Sequence, residues 1–250
     1  MNTTETSYDT LKEYPVWDRT TRWFHWINAL AIIGLIGVGL VILYAKTLGV
    51  STDGKILLKT IHVYIGYVFC LNLAWRIIWA FIGNKYARWK AILPGGKGFF
   101  TALREYQAGF RTGNIQYYQG HNPAAKLMIT LLFVVLMTQA ITGLVLAGTD
   151  IYFPPFGQTM KTWVAEDVSK VEVLKPYSKE NINEEKFSEM RAFRKPFIIT
   201  HVYAFYTLLI LMVLHIGAIV VTEIRERSGL ITAMFTGRKV FPKQPVDAEN

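Results

Sequence analysis

The sequence predicts an all-α integral membrane protein, a four-helix bundle with one long loop on its outer side. Three observations predict it. Four apolar runs, near residues 23–44, 61–82, 125–147 and 197–222, each reach the roughly 20 residues that a helix needs to cross the hydrocarbon core. Charged residues are only 18% of the chain against a soluble norm of about 25%, and hydrophobic residues are 52%. The connections between runs differ in charge as membrane loops do. A soluble protein with four buried helices is the alternative, but such helices rarely lack charges over this length.

The elements follow in order. Residues 1–22 are polar and mixed in charge, and the apolar run after them is too long for a signal peptide, so they read as an uncleaved cytoplasmic tail. Residues 23–222 are expected to form one membrane domain, and residues 223–250 a second cytoplasmic tail. The connection 83–124 carries Lys85, Arg88, Lys90, Lys97, Arg104 and Arg111 against Glu105 alone, whereas 148–196 carries eight basic and eight acidic residues. The positive-inside rule makes the first cytoplasmic and the second periplasmic. Both termini then face the cytoplasm of a bacterial inner membrane, and the net charge of +9 follows from topology rather than from nucleic-acid binding. Arg191, Arg194 and Lys195 run against the rule. Asn122-Pro123 supplies a start signal for the third helix, and Pro196 is expected to do the same for the fourth. The loop 148–196 is long enough to be functional or disordered, and its Tyr152–Gly157 start, rich in aromatics and proline, favours an ordered surface. Trp17, Trp23, Trp26, Trp75, Trp79 and Trp89 fall near helix ends, as an interfacial belt would. Cys70 is the sole cysteine, so an intrachain disulfide and Cys-x-x-Cys-His attachment of c-type haem are both excluded, and it reads as an apolar filler.

Chemistry concentrates in the histidines. His201 and His215 lie fourteen residues apart on the last run, close to four helical turns, hence on nearly one face and about 21 Å apart along the axis. Ionisable side chains at membrane depth are costly and usually functional. The alternating direction of the helices matches His62 with His201 toward the outside and His25 with His215 toward the inside. Two imidazoles per site, without nearby cysteine or carboxylate, suit haem iron with both axial positions filled, which favours electron transfer over oxygen activation. A metal-ion transport site competes with this reading, but it would usually draw Asp or Glu as well. A single histidine is more often a core imidazole bonded to a carbonyl; four matched by depth are not.

Supporting residues keep two readings each. Gly66, one turn after His62, either admits a flat macrocycle or lets helices pack closely. Arg76, fourteen residues after His62, either meets a haem propionate at the inner site or snorkels from a helix end. Arg22, three residues before His25, has the same two readings. Arg191, Arg194 and Lys195 serve outer propionates, bind an acidic partner, or are plain solvated charges. His121 either exchanges protons at a quinone site or packs and caps the loop before the third helix.

At Arg22-Trp-Phe-His-Trp26, at the run Arg76-Ile-Ile-Trp-Ala-Phe-Ile-Gly-Asn-Lys-Tyr-Ala-Arg88, at Gly120-His-Asn-Pro123 and at the His201/His215 spacing, the chain resembles the b-type cytochrome subunit of membrane-bound nickel–iron hydrogenases and related bacterial di-haem cytochromes b. The similarity covers roughly residues 14–240. The resemblance implies a four-helix cytochrome holding two b haems through His25, His62, His201 and His215. It further implies an electron-transfer subunit of a quinone-linked membrane oxidoreductase, working between a periplasmic redox protein and the quinone pool. The outer segments Tyr152–Gly157 and Met190–Pro196 depart from the hydrogenase pattern, which leaves the partner open between a hydrogenase small subunit and a c-type cytochrome or other reductase. A free-standing quinol-oxidising cytochrome and a non-redox membrane anchor are the remaining alternatives.

Overall fold

The computed structural model describes residues 11–248. The elements run β1 (Lys12–Pro15), α1 (Arg19–Leu43), α2 (Thr52–Ile82), α3 (Trp89–Ile92), α4 (Phe99–Thr112), α5 (Pro123–Ile151), α6 (Gly157–Val164), a 3-10 turn (Val168–Val173), α7 (Glu184–Glu226), α8 (Ala233–Thr236) and β2 (Arg238–Phe241). The protein is thus a mostly helical, multi-pass membrane protein, with α1, α2, α5 and α7 long and apolar enough to cross. Large apolar side chains such as Leu30, Ile33, Leu71, Val134, Ile210 and Val213 are exposed on these helices. That surface is stable against lipid and not against water.

Each long helix starts at a side-chain cap. Asp18 accepts from the Thr21 amide at 2.7 Å, Ser51 from Gly54 at 3.1 Å, Asn122 from Ala125 at 2.8 Å, and Asn183 from Lys186 at 3.0 Å. Asn122-Pro123 therefore starts α5 as its residues predict. Pro196 does not start the last helix. It lies inside α7, which begins at Glu184, with Asn183 before it and acidic Glu184 and Glu185 in its first turn. Residues 184–196 are too charged for a hydropathy window, but charge does not prevent helix formation. The expected loop 148–196 shrinks accordingly, because α5 runs on to Ile151 and α7 begins early. The remaining connection carries α6 and the 3-10 turn. All four threonines of α5 (Thr130, Thr138, Thr142 and Thr149) donate to the carbonyl four residues back, which satisfies their hydroxyls without water.

The chain divides into two compact units. The first comprises residues 11–25, 76–132 and 211–248. Here β1 and β2 pair antiparallel, Lys12 opposite Phe241 through Pro15 opposite Arg238. This sheet is an addition to the all-α expectation, made by strands too short for alternation to announce them. It ties the segment before α1 to the segment after α7, so both lie at one end of the unit. Gly237, with φ of +84°, accepts the Val16 and Trp17 amides, and a Cβ there would sit 2.6 Å from the Trp17 carbonyl oxygen. Asp247 accepts the Gln119 and Gly120 amides, and Gln119 donates to the Pro15 carbonyl. Trp17 departs from the expected interfacial belt: it is 7% exposed and packs with Val16, Tyr86 and Ala233, so it belongs to the core. Trp23 and Trp75 are exposed.

The second unit comprises residues 26–75 and 133–210. Its extramembrane part packs Met160, Val164, Val171 and Leu174 against Met190 of α7. The Asn183 amide donates to the Val164 carbonyl at 2.9 Å, which holds the start of α7 to the end of α6.

Candidate functional site

His62 of α2 and His201 of α7 face each other in the second unit, their ring centres 6.4 Å apart and their planes at 71°. They border a cavity of about 380 Å³ whose walls are mainly apolar, among them Ile36, Phe69, Leu136 and Phe205. Two imidazoles on opposite sides of one iron, with metal–nitrogen bonds of about 2 Å each, bring their ring centres to roughly 6 Å. The observed separation fits that span. Among the described residues there is no group of three or more His, Cys, Asp and Glu that could hold a metal ion. A metal between His62 and His201 would therefore need its remaining donors from elsewhere, and a porphyrin brings four of its own.

Glycines clear the space around these rings. A Cβ on Gly39 of α1 would stand 3.3 Å from His62 Cε1, and one on Gly143 of α5 would stand 3.5 Å from His201 Cε1. Gly66 borders the cavity, and a Cβ there would meet nothing within 4 Å, so no neighbouring helix presses on it. The two rings are held differently. His201 Nδ1 lies 2.8 Å from Thr142 Oγ1, and its carbonyl accepts from Gln139 Nε2 at 3.2 Å. His62 Nδ1 is buried with no hydrogen-bond partner among the described residues.

The cavity has one charged end. Lys59 and Arg194 both pair with Asp150, and the Lys59 ammonium stands 5.3 Å from the centre of the Tyr177 ring. Arg194 thus reaches the cavity, whereas Arg191 and Lys195 are exposed. With two cations on one carboxylate the cluster keeps a net positive charge, suited to an acidic group.

The first unit holds the other pair. His25 of α1 and His215 of α7 are half-buried, and His215 is near enough to act electrostatically on His25. Arg76 is 4% exposed; its Nη2 donates to the Ala87 carbonyl at 3.0 Å, and its guanidinium carbon is 5.7 Å from the Phe24 ring centre. Arg22 donates through Nη1 to the Phe235 carbonyl. His121 packs on Trp17, ring centres 4.7 Å apart. Burial, helped by Lys239, Arg76, Lys126 and His215, pulls its pKa down to about 3, so it is neutral at physiological pH.

Sequence reasoning missed Lys59, Asp150, Gly39, Gly143 and Thr142. Two had a signal. Lys59 precedes His62 by three residues and shares its helix face. Gly39 follows His25 by fourteen, the spacing that relates His201 to His215. Asp150, Gly143 and Thr142 had none, because their roles depend on which helix α5 faces.

A family model for prokaryotic cytochrome b561 matches residues 16–237. A probable Ni/Fe-hydrogenase B-type cytochrome subunit of Rhizobium leguminosarum bv. viciae is 26% identical over 240 residues, covering 90% of this chain and 88% of the relative. One from Rhodobacter capsulatus is 26% identical over 248 residues, covering 93% and 83%. A probable Ni/Fe-hydrogenase 1 B-type cytochrome subunit of Escherichia coli K12 is 30% identical over 149 residues, covering 55% and 62%.

Proposed function

This chain belongs to the prokaryotic cytochrome b561 family, and from that premise we propose that it is a di-haem electron carrier linking a periplasmic redox partner to the quinone pool of a bacterial inner membrane. The observation that carries the reading is the 6.4 Å separation of the His62 and His201 rings beside an apolar cavity. Haem b, when bound, supplies reversible one-electron oxidation and reduction of its iron. The chain's own residues do the rest. His62 and His201 would hold one such group, and His25 and His215 the other. Gly66 leaves room on the cavity wall, and the apolar lining excludes water. Arg194, with Lys59, is suited to the acidic edge of the group in the outer site, and Arg76 and Arg22 to that of the inner one.

The names of the relatives support a hydrogenase as the periplasmic partner. The basic connection 83–124, with Arg225, Arg227, Arg238, Lys239 and Lys243 after the last span, supports a cytoplasmic position for both termini. The test is the absorption spectrum of the purified protein, oxidised and dithionite-reduced. Two haems b per chain are expected, reducible by a quinol analogue, and absence of b-type bands would sink the proposal.

A further inference from the structure

We infer that Thr142 of α5, a helix that supplies no histidine ligand, sets the tautomer of His201 and thereby the redox potential of the outer site. The geometry is a chain of two contacts. Thr142 Oγ1 lies 2.6 Å from the Thr138 carbonyl oxygen and 2.8 Å from His201 Nδ1, while the Gln139 carbonyl is farther, at 3.3 Å. A carbonyl cannot donate, so the 2.6 Å contact uses the single hydroxyl proton of Thr142. Toward His201 the hydroxyl oxygen can then only accept. Nδ1 therefore carries the ring proton, and Nε2 is left with the lone pair that coordinates iron.

Thr142 is 4% exposed, so water does not replace it as an acceptor. Gln139 fixes the His201 backbone from the same helix, and Gly143 allows the approach of the ring. Three residues of α5 thus orient one ligand. His62 has no equivalent, because its Nδ1 meets no hydrogen-bond partner among the described residues. A hydrogen bond from Nδ1–H makes an imidazole a stronger donor and favours ferric iron. The outer site is therefore built with one strong and one ordinary axial donor, and Thr142 is the positioning residue that makes the difference.

The inference rests on the reading of His62 and His201 as haem ligands, and its test separates the two. Thr142→Val keeps the side-chain shape and removes the acceptor. In a potentiometric titration of the purified protein, the centre that is lost in His62→Ala should rise in potential. Its ferric-to-ferrous ratio at fixed ambient potential should fall about three- to tenfold, up to about 59 mV. The other centre should not move, and Thr142→Ser should titrate as wild type. If Thr142→Val titrates as wild type, or Thr142→Ser shifts as far as Thr142→Val, the inference is overturned. Should Thr142→Val give no folded protein, pulsed ENDOR of the ferric wild type decides: the remote N–H protons of the two imidazoles of this centre should differ, one hydrogen-bonded to oxygen and one not, and two alike would overturn the inference. A wild type without b-type bands is a different failure, since it removes the parent reading first.

Discussion

Around His62 and His201, support comes from within the long helices: Gly39 of α1, Gly66 of α2, and Gln139, Thr142 and Gly143 of α5. In the unit that holds His25 and His215, support comes from chain outside the helices. There β1 and β2 pair, Trp17 packs on His121, and Lys239 of β2 donates to the carbonyls of Tyr118 and Gly120. The two histidine pairs thus sit in different frames. One is shaped by where small residues fall on a helix face, the other by long-range pairing of segments that flank the helices. Damage should therefore stay local to each.

The largest effect is loss of a whole centre. His62→Ala or His201→Ala should reduce haem from two to one per chain, and His25→Ala or His215→Ala should remove the other one. Pyridine haemochrome content and the reduced spectrum measure this. A His62→Ala protein that loses both haems would show that the sites are not independent. Next comes the cavity wall. Gly66→Leu places a side chain where a Cβ meets nothing within 4 Å, on the boundary of the cavity beside His62 and His201. Haem content at that pair should fall severalfold with the spectrum of the other centre intact. Normal loading of both centres would mean that the space beside Gly66 is not where the group lies.

The same contrast explains what was legible in the sequence. The four spans were legible because lipid demands about 20 apolar residues and little else competes with that signal. The approach of His62 to His201 was legible because helices of alternating direction carry the two to matching depths. The early start of α7 was not, since Glu184–Lys195 is charged and only the cap at Asn183 announces it. The sheet between the tails was not, because four-residue strands far apart in sequence carry no periodic signal. Gly66 could be picked from one helix alone, whereas Thr142 needed two helices in register.

A third effect is a change of slope. Lys239 is 4% exposed, and burial lowers its pKa to about 8 from 10.5, partly offset by Glu226, Asp247 and Glu223. The folded value lies below the unfolded one, so between about pH 8 and 10.5 the unfolded state binds more protons. Stability of the first unit should therefore rise with pH across that window, by up to about 1.4 kcal/mol per pH unit. Lys239→Met should flatten the rise, as read by thermal denaturation in detergent across pH. An unchanged slope would mean that another group titrates there.

The smallest effect lies one residue away. Arg238 precedes Lys239 on β2, and neighbours on a strand point to opposite faces. The alternation sends Lys239 into the protein and Arg238 out, where it pairs with Glu13 of β1 at 2.8 Å, both side chains more than half exposed. Such a pair is screened by water and salt and has two long side chains to hold in place, so it is worth at most about 1 kcal/mol. A double-mutant cycle with Glu13→Gln and Arg238→Gln should give a coupling in that range, shrinking as salt is raised. Haem content of both centres should stay at two per chain. A coupling several times larger would mean that the strand pairing depends on its surface charges, and that the frame around His25 and His215 is weaker than its buried contacts imply.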